Sequence, residues 1–426
     1  MAANDSAFSS SAPPLLFGTR LQLSIMMFLQ FAIWGAWFVT FGNRLTELGL
    51  GDYIGSLFGT MALGSIFAPI IVGQLADRYF ASEKLLGLLH IVGAGLLYWM
   101  SQFESVKGAE PAVVLAASWK LWTIALIYAL IYSPTLALSN TIAFTHVPDG
   151  QRDFPGLRVL GTIGWIAVGL FVGNAMKLIS PTPAESEYPM MLAAGLSLAL
   201  GIYSFFLPHT PAKGVAGDAL PFLKALGLFR NFSFAVFFIA SFLITIVLAF
   251  YYNYTGVFIG VKHGVTNVST VMAIGQVAEM VILPFLPLFL LRFGMKWVLA
   301  LGMLCWGVRY LLFSQAPVSE AGFALVLVGI GLHGICFDFF FAAGFIHVDK
   351  EAPSDIRGSG QALFTFLTYG LGMWLGSEFS NYVSRETTGA DKVTDWTTFW
   401  AIPAIGVLIA LAIFVLFFRG KRQAKV

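Results

Sequence analysis

Charge and cysteine are both scarce in this chain. Only 11% of its 426 residues are Asp, Glu, Lys or Arg, and the formal net charge is +2. A chain so close to neutral lacks the basic surface on which nucleic-acid binding depends, so no nucleic-acid partner is predicted. The two cysteines, Cys305 and Cys336, lie in apolar segments. They do not make a metal site and say nothing about the redox compartment.

Enzyme motifs are missing as well. The sequence contains no nucleophile elbow, no His and Cys cluster with metal-ligand spacing, and no phosphate-binding loop. We therefore predict that the protein is not an enzyme and needs no cofactor.

What the chain has in abundance is apolar sequence. Hydrophobic residues make up 58% of it, and its mean hydropathy is +0.81. A run of about 18 or more apolar residues is typical of a transmembrane helix. The sequence predicts an all-α integral membrane protein with twelve such helices, at 20–43, 53–76, 84–102, 119–145, 157–178, 188–207, 232–258, 267–291, 296–314, 321–347, 358–383 and 396–418.

A polar linker and a weak repeat divide these helices into two sets of six. The linker, 208–231, follows the sixth helix, and "FTHVPDGQRDFPGLRVLG" (144–161) resembles "FIHVDKEAPSDIRGSGQ" (345–361). In each, an Arg is expected to open the next helix. Chance similarity between two membrane-exit loops is the alternative, but parallel six-helix repeats are the architecture of major facilitator transporters. The predicted units are a tail at 1–19, pseudo-symmetric halves at 20–207 and 232–418, the linker, and a tail at 419–426.

The basic residues predict the orientation. With both termini in the cytoplasm, the inner loops and tails hold about 15 Lys and Arg and the outer loops about 7, as the positive-inside rule requires. One inner loop, "GQLADRYFASEK" (73–84), resembles the loop signature of the major facilitator superfamily in Gly73, Asp77, Arg78 and Lys84. We interpret Gly73, Asp77 and Arg78 as a gating loop, and a solvated positive-inside loop as its plainer alternative.

Charged side chains inside the membrane are costly and usually face a partner or a cavity. Five occur in or beside the predicted helices: Arg158, Glu279, Arg309, Asp338 and Glu378. Glu279 suits a ligand or proton role, with a structural ion pair to an Arg as the alternative. Asp338 has either a functional role or a bracing role beside Arg309, which itself favours structure. Glu378 lies near the outer end and is expected to reach water, and Arg158 is either a boundary residue or a site residue.

Polar and aromatic side chains share helix faces with these charges. Gln276 and Glu279 are three residues apart, and Arg158, Thr162 and Trp165 follow a spacing of four and three, so each set lies on one face. The remaining candidates are His333 and Phe337 beside Asp338, and Tyr251, Tyr252 and Asn253 in the seventh helix. Unaided, His333 is explained slightly better as a satisfied interior histidine, and Trp165 and Phe337 as packing residues. A site between the halves, lined in this way, suits a small, flat, polar ligand.

Six motifs taken together resemble the nucleoside:proton symporter family of the major facilitator superfamily. They run in order along the chain: "FLQFAIWGAWFVTFG" (28–42), "YSPTLALSNTIAF" (132–144), "DFPGLRVLGTIGW" (153–165), "GQVAEMVIL" (275–283), "CFDFFFAAG" (336–344) and "TDWTTFW" (394–400). The resemblance implies proton-coupled import of nucleosides across the bacterial inner membrane by alternating access. The expected partners are a nucleoside, protons and the lipid bilayer, and the protein is expected to be a monomer.

The resemblance also carries over site residues. By position, Arg158, Thr162, Trp165, Gln276, Glu279 and Phe337 match the family's substrate site, and Asp338 matches its tenth-helix motif. We add Tyr252, Asn253 and His333 to the substrate site, and expect Asp338, with Glu279, to couple protons. His333 replaces the Tyr of better-known members, and the seventh helix has an Ala-Phe-Tyr-Tyr-Asn run where they have Gln and Asn. A symporter for another polar solute, such as a sugar or a modified nucleoside, and a non-transporting membrane sensor therefore stay open as alternatives.

Overall fold

The architecture comes from a computed structural model that describes residues 13–71, 77–212 and 220–419. Within these ranges the chain is built of helices, with one isolated bridge between Thr388 and Thr394. In the first half, α1 bends at Phe38 and continues as Phe41–Glu47. The six helices of this half are α1 (Phe17–Trp37), α2 (Ile54–Ile71), α3 (Ser82–Ser101), α4 (Pro111–His146), α5 (Gly150–Asn174) and α6 (Tyr188–Ser204).

The second half also has six helices, and two of them adjoin directly. Residues 268–314 form one unbroken helical stretch except at Gly294, whose φ of 73° is accessible to glycine without strain. That residue turns the chain between α8 and α9. The helices of this half are α7 (Phe232–Val257), α8 (268–293), α9 (295–314), α10 (Glu320–Glu351), α11 (357–387) and α12 (Trp396–Phe417).

The predicted fold class is confirmed, with differences at several helix ends. By length and composition alone, eight helical stretches of the described chain could cross a membrane. One of these stretches contains both α8 and α9, and α2, α6 and α11 complete the twelve. Within the linker, Pro221–Arg230 forms a 3₁₀ segment that packs on α11 through the stacked rings of Phe222 and Phe366, 4.2 Å apart.

The predicted start of the fifth helix is wrong. α5 begins at Gly150 rather than at 157, so the charged stretch around Asp153 is helical and Pro155 lies inside the helix. A proline in a charged stretch usually marks a helix boundary, which is why the sequence pattern misleads here. Arg158 therefore does not open the helix but lies more than two turns within it.

Side-chain caps define the start of three helices in the second half. Asn231 accepts from the Phe234 amide, and Ser319 accepts from the Gly322 amide. Asp395 precedes α12 and accepts from the amides of Thr397 and Thr398 and from the Thr398 hydroxyl. These hydrogen bonds hold the pKa of Asp395 below its usual range. Each cap satisfies amides that the first turn of a helix leaves without a backbone partner.

Glycine allows helices to approach closely beside the interface of the halves. A Cβ on Gly35 of α1 would lie 3.0 Å from the Trp165 ring of α5, and a Cβ on Gly334 of α10 would lie 2.9 Å from the Glu279 backbone nitrogen of α8. Such close packing of small residues drives helix association in membranes, where lipid removes the usual hydrophobic advantage. The two pairs of helices that carry most of the candidate residues are thus held at short range.

Candidate functional site

The α5 face contributes an arginine, a threonine and a tryptophan to the interface. Arg158, Thr162 and Trp165 are all half-buried. The Arg158 guanidinium lies 4.1 Å from the centre of the Phe31 ring, a cation–π contact with α1. Trp165 meets Trp34 edge to face at 5.4 Å. The aromatic residues of α1 therefore orient both ends of this face.

Across the interface, α8 presents Gln276 and Glu279, which are also half-buried. α8 packs against α5 across the boundary between the halves, with Glu279 on one helix and Arg158 on the other. α8 also packs closely on α10 and α7, because a Cβ on Gly275 would lie 3.2 Å from the His333 Cβ and 3.2 Å from the Tyr251 hydroxyl. We call the residues gathered here the central site: Arg158, Thr162, Trp165, Tyr252, Gln276, Glu279, His333, Phe337 and Asp338.

His333 lies in an aromatic stack on the C-terminal side of this site. Its ring is 5.1 Å from the Tyr251 ring and 5.5 Å from the Phe337 ring, at shallow angles of 17° and 29°. It is 1% exposed, and its Nδ1 has no hydrogen-bond partner among the described residues. The alternative of a satisfied interior histidine therefore does not fit, since one ring nitrogen is left without a partner.

A line of aromatic rings joins the two halves. Tyr252 of α7 meets Phe38 of α1 edge to face at 6.2 Å, and Phe38 meets Trp165 at 6.3 Å. The Tyr252 and Trp165 rings are each half-buried rather than sealed in a core. Flat π-surfaces from both halves are thus available beside the Arg158 and Glu279 charges.

Asp338 is the more deeply buried of the two carboxyl groups in the central site. It is 1% exposed, and its Oδ2 atom has no hydrogen-bond partner within the described ranges. It begins a π-helical segment, Asp338–Ala342, of the kind that often occurs at functional sites. A buried carboxylate with a free oxygen is expensive in the membrane unless it is protonated or meets a ligand.

Arg309 does not brace Asp338. Its Nε donates to the Gly329 carbonyl oxygen at 2.9 Å, and its guanidinium lies over the rings of Tyr251, at 4.2 Å, and Trp306, at 4.6 Å. Because Arg309 is fully buried and held by rings of its own half, its place supports the structural interpretation. Arg309 is therefore not available as the partner that the bracing role of Asp338 requires.

Some candidates lie apart from the central site. The Asn253 amide donates to the Ser377 and Ser380 hydroxyls, each at 3.1 Å, and so joins α7 to α11. Glu378 does not simply face water, because it accepts from the Ser56 hydroxyl of the other half at 2.8 Å. Of the gating loop, Gly73 lies outside the described residues, Asp77 begins the short helix Asp77–Tyr79, and Arg78 is exposed.

Four aromatic residues near the site were not among the sequence candidates. Phe31 and Trp34 of α1, and Phe38 directly after it, contact Arg158 or Trp165, and the ring of Tyr369 of α11 lies 5.3 Å from the Phe341 ring of α10. The spacing of the three α1 residues, three and four positions apart, puts them on one helix face and is a signal that sequence reading could have used. Nothing in the sequence around Tyr369 sets it apart from other aromatic residues.

The halves are bonded together at the end of the molecule far from the described chain termini. Five side-chain hydrogen bonds or ion pairs between described residues join the halves there. They are Gly55 N to Asn381 Oδ1 (2.9 Å), Ser56 to Glu378 (2.8 Å), Asn174 to Thr270 (2.7 Å), Lys177 to Thr266 (2.8 Å) and Asp52 to Lys392 (3.3 Å). We call this set the distal latch. The central site thus lies behind a closed distal face.

Comparison with known proteins identifies the family. The family model described as "Nucleoside H+ symporter" matches residues 17–423. The chain belongs to the nucleoside H+ symporter family. Its sequence is 37% identical to the putative nucleoside transporter YegT of Escherichia coli (strain K12) over 94% of each chain. It is 31% identical to the nucleoside permease NupG of the same organism, over 93% of this chain and 96% of the permease.

A solved structure agrees with the family assignment. The crystal structure of nucleoside transporter NupG superposes with a TM-score of 0.83 at 29% identity, over 95% of this chain and all of that one. The major facilitator fold, a multi-pass membrane location and a transport function rather than an enzymatic one are therefore established. As a family member, the chain transports nucleosides coupled to protons.

Proposed function

We propose that a nucleoside binds in the central site and crosses the membrane there together with protons. The observation that carries this proposal is the placement of Arg158 and Glu279, which put opposite charges on α5 and α8, the two helices that pack across the boundary of the halves. The two residues form no direct ion pair among the described ones, and both are half-buried. Opposite charges on two packed helices that form no ion pair with each other suit a polar ligand that bonds to both.

The lining matches the two parts of a nucleoside. The base is flat and aromatic, and Trp165, Tyr252 and Phe337 offer rings of suitable kind on both sides of the interface. The sugar carries hydroxyl groups, to which Glu279 and Gln276 would bond. The Gln276 Oε1 atom is buried without a partner in the described part of the chain, so it is available to a sugar hydroxyl. Arg158 and Thr162 would then meet the polar edge of the base.

Asp338 is proposed as the proton-coupling group, with Glu279 closer to the substrate. Asp338 is buried, keeps one oxygen free and lies within reach of the Glu279 charge. Two like charges in a medium of low dielectric repel strongly, and one proton on either carboxyl group removes the repulsion. Binding a proton would thus prepare the site for the substrate, which links the two transport events.

The face of the membrane that the distal latch closes determines the transport cycle that we propose. With both termini in the cytoplasm, as the distribution of Lys and Arg favours, the latch closes the outer face of the inner membrane. The described conformation then faces the cytoplasm, and rocking of the halves at 20–207 and 232–418 would open the outside. The linker at 208–231 and the tails at 1–19 and 419–426 would stay in the cytoplasm, and one chain in the bilayer would suffice for transport.

Uptake into proteoliposomes tests this proposal. Labelled uridine and adenosine would be offered with and without an inward proton gradient, to the native protein and to an E279Q variant. The proposal expects accumulation only with the gradient, and its loss in the variant. An E320Q variant, which changes an exposed carboxylate at the start of α10, serves as the matched control. Gradient-independent uptake, or equal uptake by E279Q, would overturn the proposed site.

A further inference from the structure

A groove on the second half opens toward the lipid, away from the central site. It lies between the α8–α9 turn and α12, has a volume of about 440 Å³, and is lined almost entirely by apolar atoms. Its walls include Phe289, Phe293, Trp297, Leu304, Leu411 and Val415. Trp297 is 57% exposed and Leu304 is 45% exposed. A groove of this shape and lining accepts an alkyl chain.

Two basic side chains lie at one end of this groove. Arg292 precedes the groove residue Phe293 and is exposed, and Lys296 precedes the groove residue Trp297. The Lys296 ammonium donates to the carbonyl oxygen of Val415 at 2.8 Å, which places it at the end of α12. This bond uses one of the three ammonium hydrogens, so the others remain available to an anion.

The sequence leaves these cations without acidic neighbours along either chain segment. No Asp or Glu occurs between Met280 and Ser319, and none occurs from Trp396 to Val426. Among the described residues, no ion pair involves Arg292 or Lys296. The groove is therefore positively charged at one end and apolar along its walls.

We propose that this groove binds an anionic phospholipid, with one acyl chain between α9 and α12 and the phosphate beside Arg292 and Lys296. Basic pockets between transmembrane helices are the sites at which anionic lipid headgroups bind. The aromatic residues Phe289, Phe293 and Trp297 lie at the same end, as expected at the boundary between acyl chains and headgroups. The lipid would bridge the α8–α9 turn and the end of α12, beyond the bond that Lys296 already makes.

Lipid titration followed by native mass spectrometry tests the site. The purified full-length protein in a non-ionic detergent would be titrated with phosphatidylglycerol and with phosphatidylcholine of identical acyl chains. We expect one molecule of phosphatidylglycerol to bind per protein, with higher affinity than phosphatidylcholine. An R292Q/K296Q variant should lose roughly tenfold in affinity for phosphatidylglycerol, because each basic residue near the headgroup contributes to binding, and should bind phosphatidylcholine as before.

Further variants separate a defined site from general attraction to basic residues. R230Q/K350Q removes two exposed basic residues elsewhere and should leave phosphatidylglycerol binding unchanged. L304W, which fills the groove, should weaken both lipids. R292Q alone keeps the Lys296 bond to Val415 and should lose a few-fold, which covers the case of a poorly folded double variant. Equal affinity of the native protein for the two lipids, or equal loss in R230Q/K350Q, would overturn the proposal.

Discussion

Arg158 and Glu279 lie on α5 and α8, two helices of different halves that pack against each other across the boundary between the halves. Each is half-buried, and each lies beside aromatic or amide side chains of its own half. Any rocking of the halves changes the separation of these two charges. A ligand that bonds to both would therefore sense the conformation of the transporter, and the conformation would in turn set the affinity for the ligand.

Removal of the Glu279 charge tests its contact with the substrate. We expect E279Q to weaken nucleoside binding by roughly ten- to a hundredfold, as expected from loss of a charge-assisted hydrogen bond of about 1.5–3 kcal/mol. Binding of a labelled nucleoside to purified protein, measured by scintillation proximity, gives the affinity directly. E320Q is the control. An unchanged affinity in E279Q would remove Glu279 from the binding site and leave Gln276 as the α8 contact.

Asp338 should separate substrate movement from proton coupling. We expect D338N to exchange labelled for unlabelled nucleoside across the membrane, because the amide keeps the shape of the site. It should fail to concentrate nucleoside when an inward proton gradient is imposed, because the amide cannot take up and release a proton. Counterflow and gradient-driven uptake in the same proteoliposomes measure the two activities. Accumulation by D338N along a proton gradient would show that another group carries the proton.

His333 is expected to affect which nucleosides are transported. Its ring stacks between Tyr251 and Phe337, and its Nδ1 atom is unpartnered within the described residues. H333Y replaces the imidazole with a longer phenol. We therefore expect the inhibition constants of a panel of nucleosides to change by several-fold and their order to change. Y251F keeps the stack and removes only a buried hydroxyl, so it should preserve that order. An identical order in H333Y would place His333 outside the specificity contacts.

The membrane helices were predictable from sequence because bilayer thickness requires long apolar segments. The position of Arg158 within its helix was not, because the charged residues before it indicate a loop whereas they begin α5. The three α5 candidates and the α8 pair were predictable from helix periodicity. The bonds of Glu378 to Ser56 and of Asn253 to Ser377 were not, since they join residues 322 and 124 positions apart, and no local pattern encodes such distances.

Asn253 should matter for stability more than for substrate. Its amide donates to Ser377 and Ser380, which ties α7 to α11 away from the aromatic rings of the site. We expect N253A to reduce the stability of the protein by about 1 kcal/mol, a value typical of hydrogen bonds between membrane helices. Nucleoside affinity should stay within about twofold of the native value. Q276A provides the comparison, since it should lose affinity with little change in the midpoint of thermal unfolding.

The distal latch should be essential for the transport cycle because it must open on each turnover. Ser56 and Glu378 face each other across the halves, with their oxygens 2.8 Å apart. In a background with Cys305 and Cys336 replaced by Ser, S56C/E378C should form a disulfide under mild oxidation that stops transport. Binding of nucleoside from the side of the membrane that carries the chain termini should persist. A reductant should restore transport. The single variants S56C and E378C, treated alike, control for oxidation itself. Full transport by protein that is demonstrably cross-linked would mean that the halves separate elsewhere and that this contact is not part of the gate.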